Sequence, residues 1–140
     1  MKPILIFLCV TTLFAATLCK INFSDSYEEN MDKIIEECQS NPATKATEDW
    51  LETEDLPTAD KEGPHILCRL TKIGSLDENG DINVEKMRED LKTGINDTKV
   101  IEVIMEKCGT REPNTTATES AVANFRCVLS TYDDLNSQVD

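Results

Sequence analysis

Residues 64–76, PHILCRLTKIGSL, decide how the rest of the chain is read. Proline suits the first position of a helix, where its missing N–H has no intrahelical partner to lose. Ile66, Leu67, Leu70 and Ile73 then recur at helical spacing. The stretch therefore predicts a short buried helix. Cys68 sits in the middle of its apolar surface, where a thiol can tie the helix covalently to a neighbour. A small cross-linked bundle organised about this helix is the expectation.

On the N-terminal side, Ser26 and Glu29 have the form of a capping box, and Met31, Ile34, Ile35 and Cys38 follow at i, i+3, i+4 and i+7. Asn41 and Pro42 break that helix. Thr47 can cap a shorter one through Trp50 and Leu51, ended by Pro57 and the polar stretch around Gly63. On the C-terminal side, Asn79 and Gly80 form a turn before a helix that turns Val84, Met87 and Leu91 inward and stops at Gly94. Asp97 or Asn96 caps the next, whose apolar face holds Val100, Ile101, Ile104, Met105 and Cys108 before Gly109. A polar connector with Pro113 leads to a last helix over 117–132. It presents Ala121, Val122, Phe125, Val128, Leu129 and Tyr132 at helical intervals with Cys127 beside them. The final eight residues, from Asp133, read as a disordered tail, with folding back over the bundle as the alternative. Six helices and no strand make an all-α domain.

The first 19 of the 140 residues, MKPILIFLCVTTLFAATLC, have a positive start, an apolar run and small residues near its end. That is the form of a secretory signal peptide cut after Cys19, which leaves 20–140 as a single secreted, extracellular domain. Cleavage removes Lys2, so the formal net charge of −13 becomes −14. It also removes two of the six cysteines, leaving Cys38, Cys68, Cys108 and Cys127. An even number in a small secreted chain indicates disulfides rather than a metal site. Three pairings are possible, and counting does not choose among them. Each bridge would contribute roughly 3 kcal/mol on the chain-entropy account. The acidity repels nucleic acid and anionic membranes, and no other segment is apolar enough for insertion after cleavage.

Little in the chain supports catalysis. His65 is the sole histidine, no nucleophile motif accompanies it, and it reads as a partly exposed residue at a helix start. Asp77, Asn79 and Asp81 resemble the opening of a calcium loop. However, Gly80 comes too early and Arg88 stands where the closing glutamate belongs, so the run reads as a solvated turn. No enzyme activity, metal or cofactor is expected. Glycan acceptor sequences begin at Asn22, Asn96 and Asn114, each in a predicted loop or terminus.

Between Cys38 and Cys68 lie 29 residues, between Cys68 and Cys108 lie 39, and between Cys108 and Cys127 lie 18. On six helices behind a signal peptide, this spacing resembles the insect odorant-binding proteins of the pheromone and general-odorant type. That family usually carries two more cysteines, bonded to each other, and counting back places them at Pro64 and Thr118. Their joint loss resembles the four-cysteine "minus-C" subgroup. The resemblance implies the pairs Cys38–Cys68 and Cys108–Cys127. It also implies an apolar cavity for a small hydrophobic ligand such as an odorant, a pheromone or a lipid-like semiochemical. Losing the middle link implies a bundle that breathes more than its six-cysteine relatives.

Projected from the helix faces, the wall of such a cavity comes from Met31, Ile35, Leu67, Leu70, Ile73, Met87, Leu91, Ile104, Met105, Phe125, Val128 and Leu129, with Trp50 nearby. Methionine suits that role because its flexible thioether reshapes around different ligands. The expected partner is the small ligand. A membrane chemoreceptor would be met only indirectly, and the protein would be a monomer or weak dimer. The competing reading is a secreted acidic interaction protein with a solid core, and an internal void separates the two.

Overall fold

The computed structural model describes residues 25–53 and 56–137, so the leader, the Asn22 acceptor sequence and the last three residues lie outside it. The described residues form six α-helices: α1 (Asp25–Ser40), α2 (Glu48–Thr53), α3 (Gly63–Ile73), α4 (Val84–Gly94), α5 (Thr98–Cys108) and α6 (Ala117–Ser137). Among them the extended pairing is limited to one isolated antiparallel bridge, Leu76 with Ile82. None of these helices is long and apolar enough to cross a membrane.

The helix ends follow from side chains that satisfy free backbone groups. Thr47 Oγ1 accepts from the Trp50 N–H at 3.3 Å and starts α2. Pro64 opens α3, and Gly74, in the left-handed region at φ 92°, closes it by donating to the Leu70 and Thr71 carbonyls. Asn83 caps α4 through the Lys86 N–H, and Asp97 caps α5 through the Lys99 N–H. Thr116 and Glu119 cap α6 reciprocally: the Thr116 N–H donates to the Glu119 carboxylate at 2.7 Å, and the Glu119 N–H donates to Thr116 Oγ1 at 3.2 Å. The sequence reading missed this box and expected one at Ser26 instead. Helix α1 is already under way at Asp25, which puts Ser26 inside its first turn.

A second correction concerns the expected tail. Residues 133–137 continue α6, because Leu135 extends the apolar stripe of Val128 and Tyr132 at helical spacing and is half-buried. The run that resembles a calcium loop is a turn seated on α6. Asp77 Oδ1 accepts from the Asn79 and Asp81 N–H groups at 2.9 Å. Arg111 donates to the Asn79 carbonyl and the Asp81 carboxylate, and Ser120 Oγ donates to the Gly80 carbonyl at 2.7 Å. Gly80 has φ 84°, and a Cβ there would come within 2.7 Å of Ala117 Cα, so only glycine fits this approach.

Helix α6 packs along both α3 and α5, with α1 on α3 and α4 on α5. The hub is therefore α6 rather than α3. With 21 residues it spans about 30 Å, long enough to pass both partners, whereas α3 has 11 residues. Cys38–Cys68 fastens α1 to α3, and Cys108–Cys127 fastens α5 to α6, the two pairs that the resemblance implies.

Two apolar clusters form the core. One gathers Ala46, Trp50, Ile66, Leu76, Ala121 and Val122. The other gathers Met87, Ile101, Ile104, Met105 and Cys108. His65 is fully buried beside the first, which corrects its reading as a partly exposed residue. The 41–47 loop folds over the start of α3, so His65 Nδ1–H donates to the Thr44 carbonyl at 3.0 Å, and Trp50 meets the imidazole edge-on at 5.9 Å. Its Nε2 has no hydrogen-bond partner among the described residues. Burial holds the imidazole below its ordinary pKa.

Candidate ligand cavity

Five helices leave a cavity of about 520 Å³ between them. Each contributes the side chains that helical spacing puts on one face. From α1 come Tyr27, Met31 and Ile35, at i, i+4 and i+8; from α2, Trp50 and Leu51. Helix α3 gives Ile66, Arg69, Leu70 and Ile73, followed by Ser75. Helix α4 gives Met87, Asp90, Leu91 and Gly94, followed by Ile95, and α6 supplies Asn124, Phe125, Val128, Leu129 and Tyr132. Leu129 is 41% exposed and marks where the wall reaches the surface.

Nine of the twelve wall residues projected from the sequence stand on this wall: Met31, Ile35, Leu70, Ile73, Met87, Leu91, Phe125, Val128 and Leu129. Trp50, expected nearby, is on the wall too. Leu67, Ile104 and Met105 are not. Leu67 follows Ile66 by about 100° around α3, which carries it off the wall-facing arc and onto the first core cluster. Ile104 and Met105 belong to α5, which packs on α4 and α6 and gives nothing to the cavity, so both are consumed by the second cluster.

The polar members of the wall were overlooked because the projection counted apolar residues alone. Their spacing carried the signal: Tyr27 precedes Met31 by four, Arg69 lies three after Ile66 and four before Ile73, and Asp90 lies three after Met87. Burial pushes the Tyr27 phenol up to about 12, with the Asp90 charge adding to the rise and Arg69 opposing it. It stays a neutral hydroxyl at any physiological pH. Burial also raises the Asp90 carboxyl to about 6, so it is mostly ionised at neutral pH. No hydrogen bond or ion pair with a described residue engages that carboxylate. The Arg69 guanidinium lies 5.7 Å from the centre of the Phe125 ring, where cation and aromatic face attract. At the other side of the wall, Asn124 Nδ2 donates to the Cys108 carbonyl at 3.0 Å and so ties the cavity to the solid core. The arrangement can enclose an apolar body and present the Asp90 carboxylate to its polar end.

The comparison with curated proteins found no match. Among solved structures, the chain is similar to the fatty acid binding protein OBP56a from the oral disk of the blowfly Phormia regina. The two share 18% sequence identity and superpose with a TM-score of 0.64 over 81% of this chain and 98% of that one. At that identity the likeness establishes a shared fold. Residues 21–131 match the model of the PBP/GOBP family, the pheromone- and general-odorant-binding proteins, and with most of its length inside that match this chain belongs to the family.

Proposed function

We propose that this protein is a secreted carrier of small hydrophobic ligands, of the odorant, pheromone or lipid-like kind, held in the cavity between α1, α2, α3, α4 and α6. The carrying observation is the cavity itself, about 520 Å³ and walled mostly by apolar side chains. Sites for small molecules fall at roughly 300–1,000 Å³. A wall of this composition is best filled by an apolar molecule. Family membership supports the reading, as does the similar blowfly protein, whose name describes it as fatty acid binding. Secretion rests on the leader-like first 19 residues.

A solid-core interaction protein does not account for the void. Burying roughly 300 Å² of ligand surface would gain about 7 kcal/mol gross before the cost of immobilisation, which makes micromolar, not nanomolar, the tightest affinity expected from burial. We assign the chain to the four-cysteine subgroup on the same footing. Gly63 packs so closely on Thr118 that a Cβ on the glycine would meet Thr118 Cβ at 2.9 Å, so the starts of α3 and α6 adjoin where a third bridge would lie.

The test is displacement of a fluorescent apolar probe from the oxidised chain lacking residues 1–19, with terpenoids, phenylpropanoids and fatty acids as competitors. Saturable one-to-one binding in the micromolar range is expected, accompanied by a change in Trp50 emission. Absence of any probe binding by a folded sample would defeat the carrier reading.

A further inference from the structure

The cavity wall carries a half-buried carboxylate, Asp90, that no described residue pairs. Asp90 stands on the α4 face that also presents Met87, Leu91 and Gly94 to the cavity. Asp90 is half-buried, so its charge is partly withdrawn from water and gains by acquiring a donor. Burial is the one cause of its raised pKa, with no hydrogen bond or ion pair to a described residue opposing it. Arg69, on the same wall, stands over the Phe125 ring and does not counter the rise of the Asp90 pKa, whose one cause is burial. Tyr27 is close enough for its phenol to feel the Asp90 charge, and it adds a neutral hydroxyl to the same end. The cavity is thus apolar along most of its wall and acceptor-rich at Asp90.

Resting on the carrier reading, we infer that the cavity selects amphiphiles whose head group donates hydrogen bonds to Asp90, amines first and alcohols second, and disfavours carboxylates of the same chain length. An ammonium head supplies both the countercharge and the donors that Asp90 lacks. A hydroxyl supplies a donor without the charge. A carboxylate head would place a second negative charge beside the first, in surroundings that screen it poorly, on a protein whose formal net charge is already −13.

The test compares a straight-chain hydrocarbon with the primary alcohol, primary amine and carboxylic acid of equal length, as competitors against one apolar probe at pH 7.5. For the natural chain the expected order of affinity is amine, alcohol, hydrocarbon, acid. In Asp90→Asn the ratio of amine to hydrocarbon affinity should fall about tenfold or more, the size of a charge-assisted hydrogen bond, and the alcohol ratio by about threefold. Glu89→Gln removes the same charge from the exposed face of α4 and should leave both ratios where they were. The inference is overturned if the acid outcompetes the amine on the natural chain, if Asp90→Asn leaves the ratios unchanged, or if Glu89→Gln lowers them equally. Circular dichroism and the disulfide state of each variant verify folding. Failure of the probe itself to bind would strike the carrier reading, whereas probe binding with no head-group dependence would strike this inference alone.

Discussion

Helices α3 and α5 make an instructive pair. Both have 11 residues, both are amphipathic, and both end up cross-linked through a cysteine on the packed side. Yet α3 puts four side chains on the cavity wall and α5 puts none. The difference lies in what each helix faces. Helix α5 meets α4 and α6 directly, and Ile101, Ile104, Met105 and Cys108 close into a solid cluster. Helix α3 is held to α1 by Cys38–Cys68 and to α6 by packing, and the remaining span toward α4 is left open. An apolar helix face is thus a demand for burial, and packing or an enclosed ligand meets it equally well.

Truncation separates the two helices most sharply. Ile104→Ala, in the solid cluster, should lower unfolding stability by about 2–5 kcal/mol in urea titrations. Ile73→Ala, on the wall, removes contacts on one side only and should cost about 1 kcal/mol while weakening probe binding. Equal costs would erase the distinction between the two helices. The looser side can also be tightened. Placing cysteines at both Pro64 and Thr118 would join α3 to α6 and, once oxidised, should add about 2–4 kcal/mol and raise the melting temperature. An oxidised variant with no rise would mean that the α3 side is already as rigid as the α5 side.

Proton binding offers a finer probe, because the half-buried Asp90 and the fully buried His65 act in opposite directions. Burial raises Asp90 from its ordinary 3.8 to about 6. Its ionisation therefore penalises the folded state fully above about pH 6, and the penalty disappears as pH falls toward 3.8. Asp90→Asn should stabilise the protein at pH 7.5 by about 1–3 kcal/mol, the range allowing for solvent reaching the cavity, and by little at pH 4. His65, held below its ordinary 6.5, contributes stability above that value and loses it as pH falls toward the lower folded pKa. With Asp90 replaced, thermal melts should show a steeper loss on acidification than the natural chain shows. The smallest stability effect is expected for Ile73→Phe. Extra bulk on the wall enters open space and should change stability by less than about 1 kcal/mol, while probe affinity drops. The same enlargement at Ile104 should cost about 1–3 kcal/mol.

The order and extent of the helices were largely written in the residues. Periodic apolar positions, the cap at Asp97, the turn at Asn79 and Gly80, and the proline at 64 all mark local events, and local events depend on neighbours in sequence. The misplaced features each depend on something distant. His65 is buried because a loop that reaches it from Thr44, 21 residues earlier, folds over it, and α6 becomes the hub because its length lets it pass both α3 and α5. Asp90 and Arg69 were passed over because charge on a helix usually marks the solvent side, and only the arrangement of the helices turns that face toward a cavity.

The sequence by itself determined the all-α class, the placement of most helix ends, and most of the apolar side chains that reach the wall. These follow from the 3.6-residue period and from side chains that complete backbone hydrogen bonds nearby. Only the tertiary structure decided which apolar face became core and which became wall, and that a half-buried carboxylate stands among the wall residues. A cavity is a property of the space between helices, and no periodicity within one helix specifies the distance to the next.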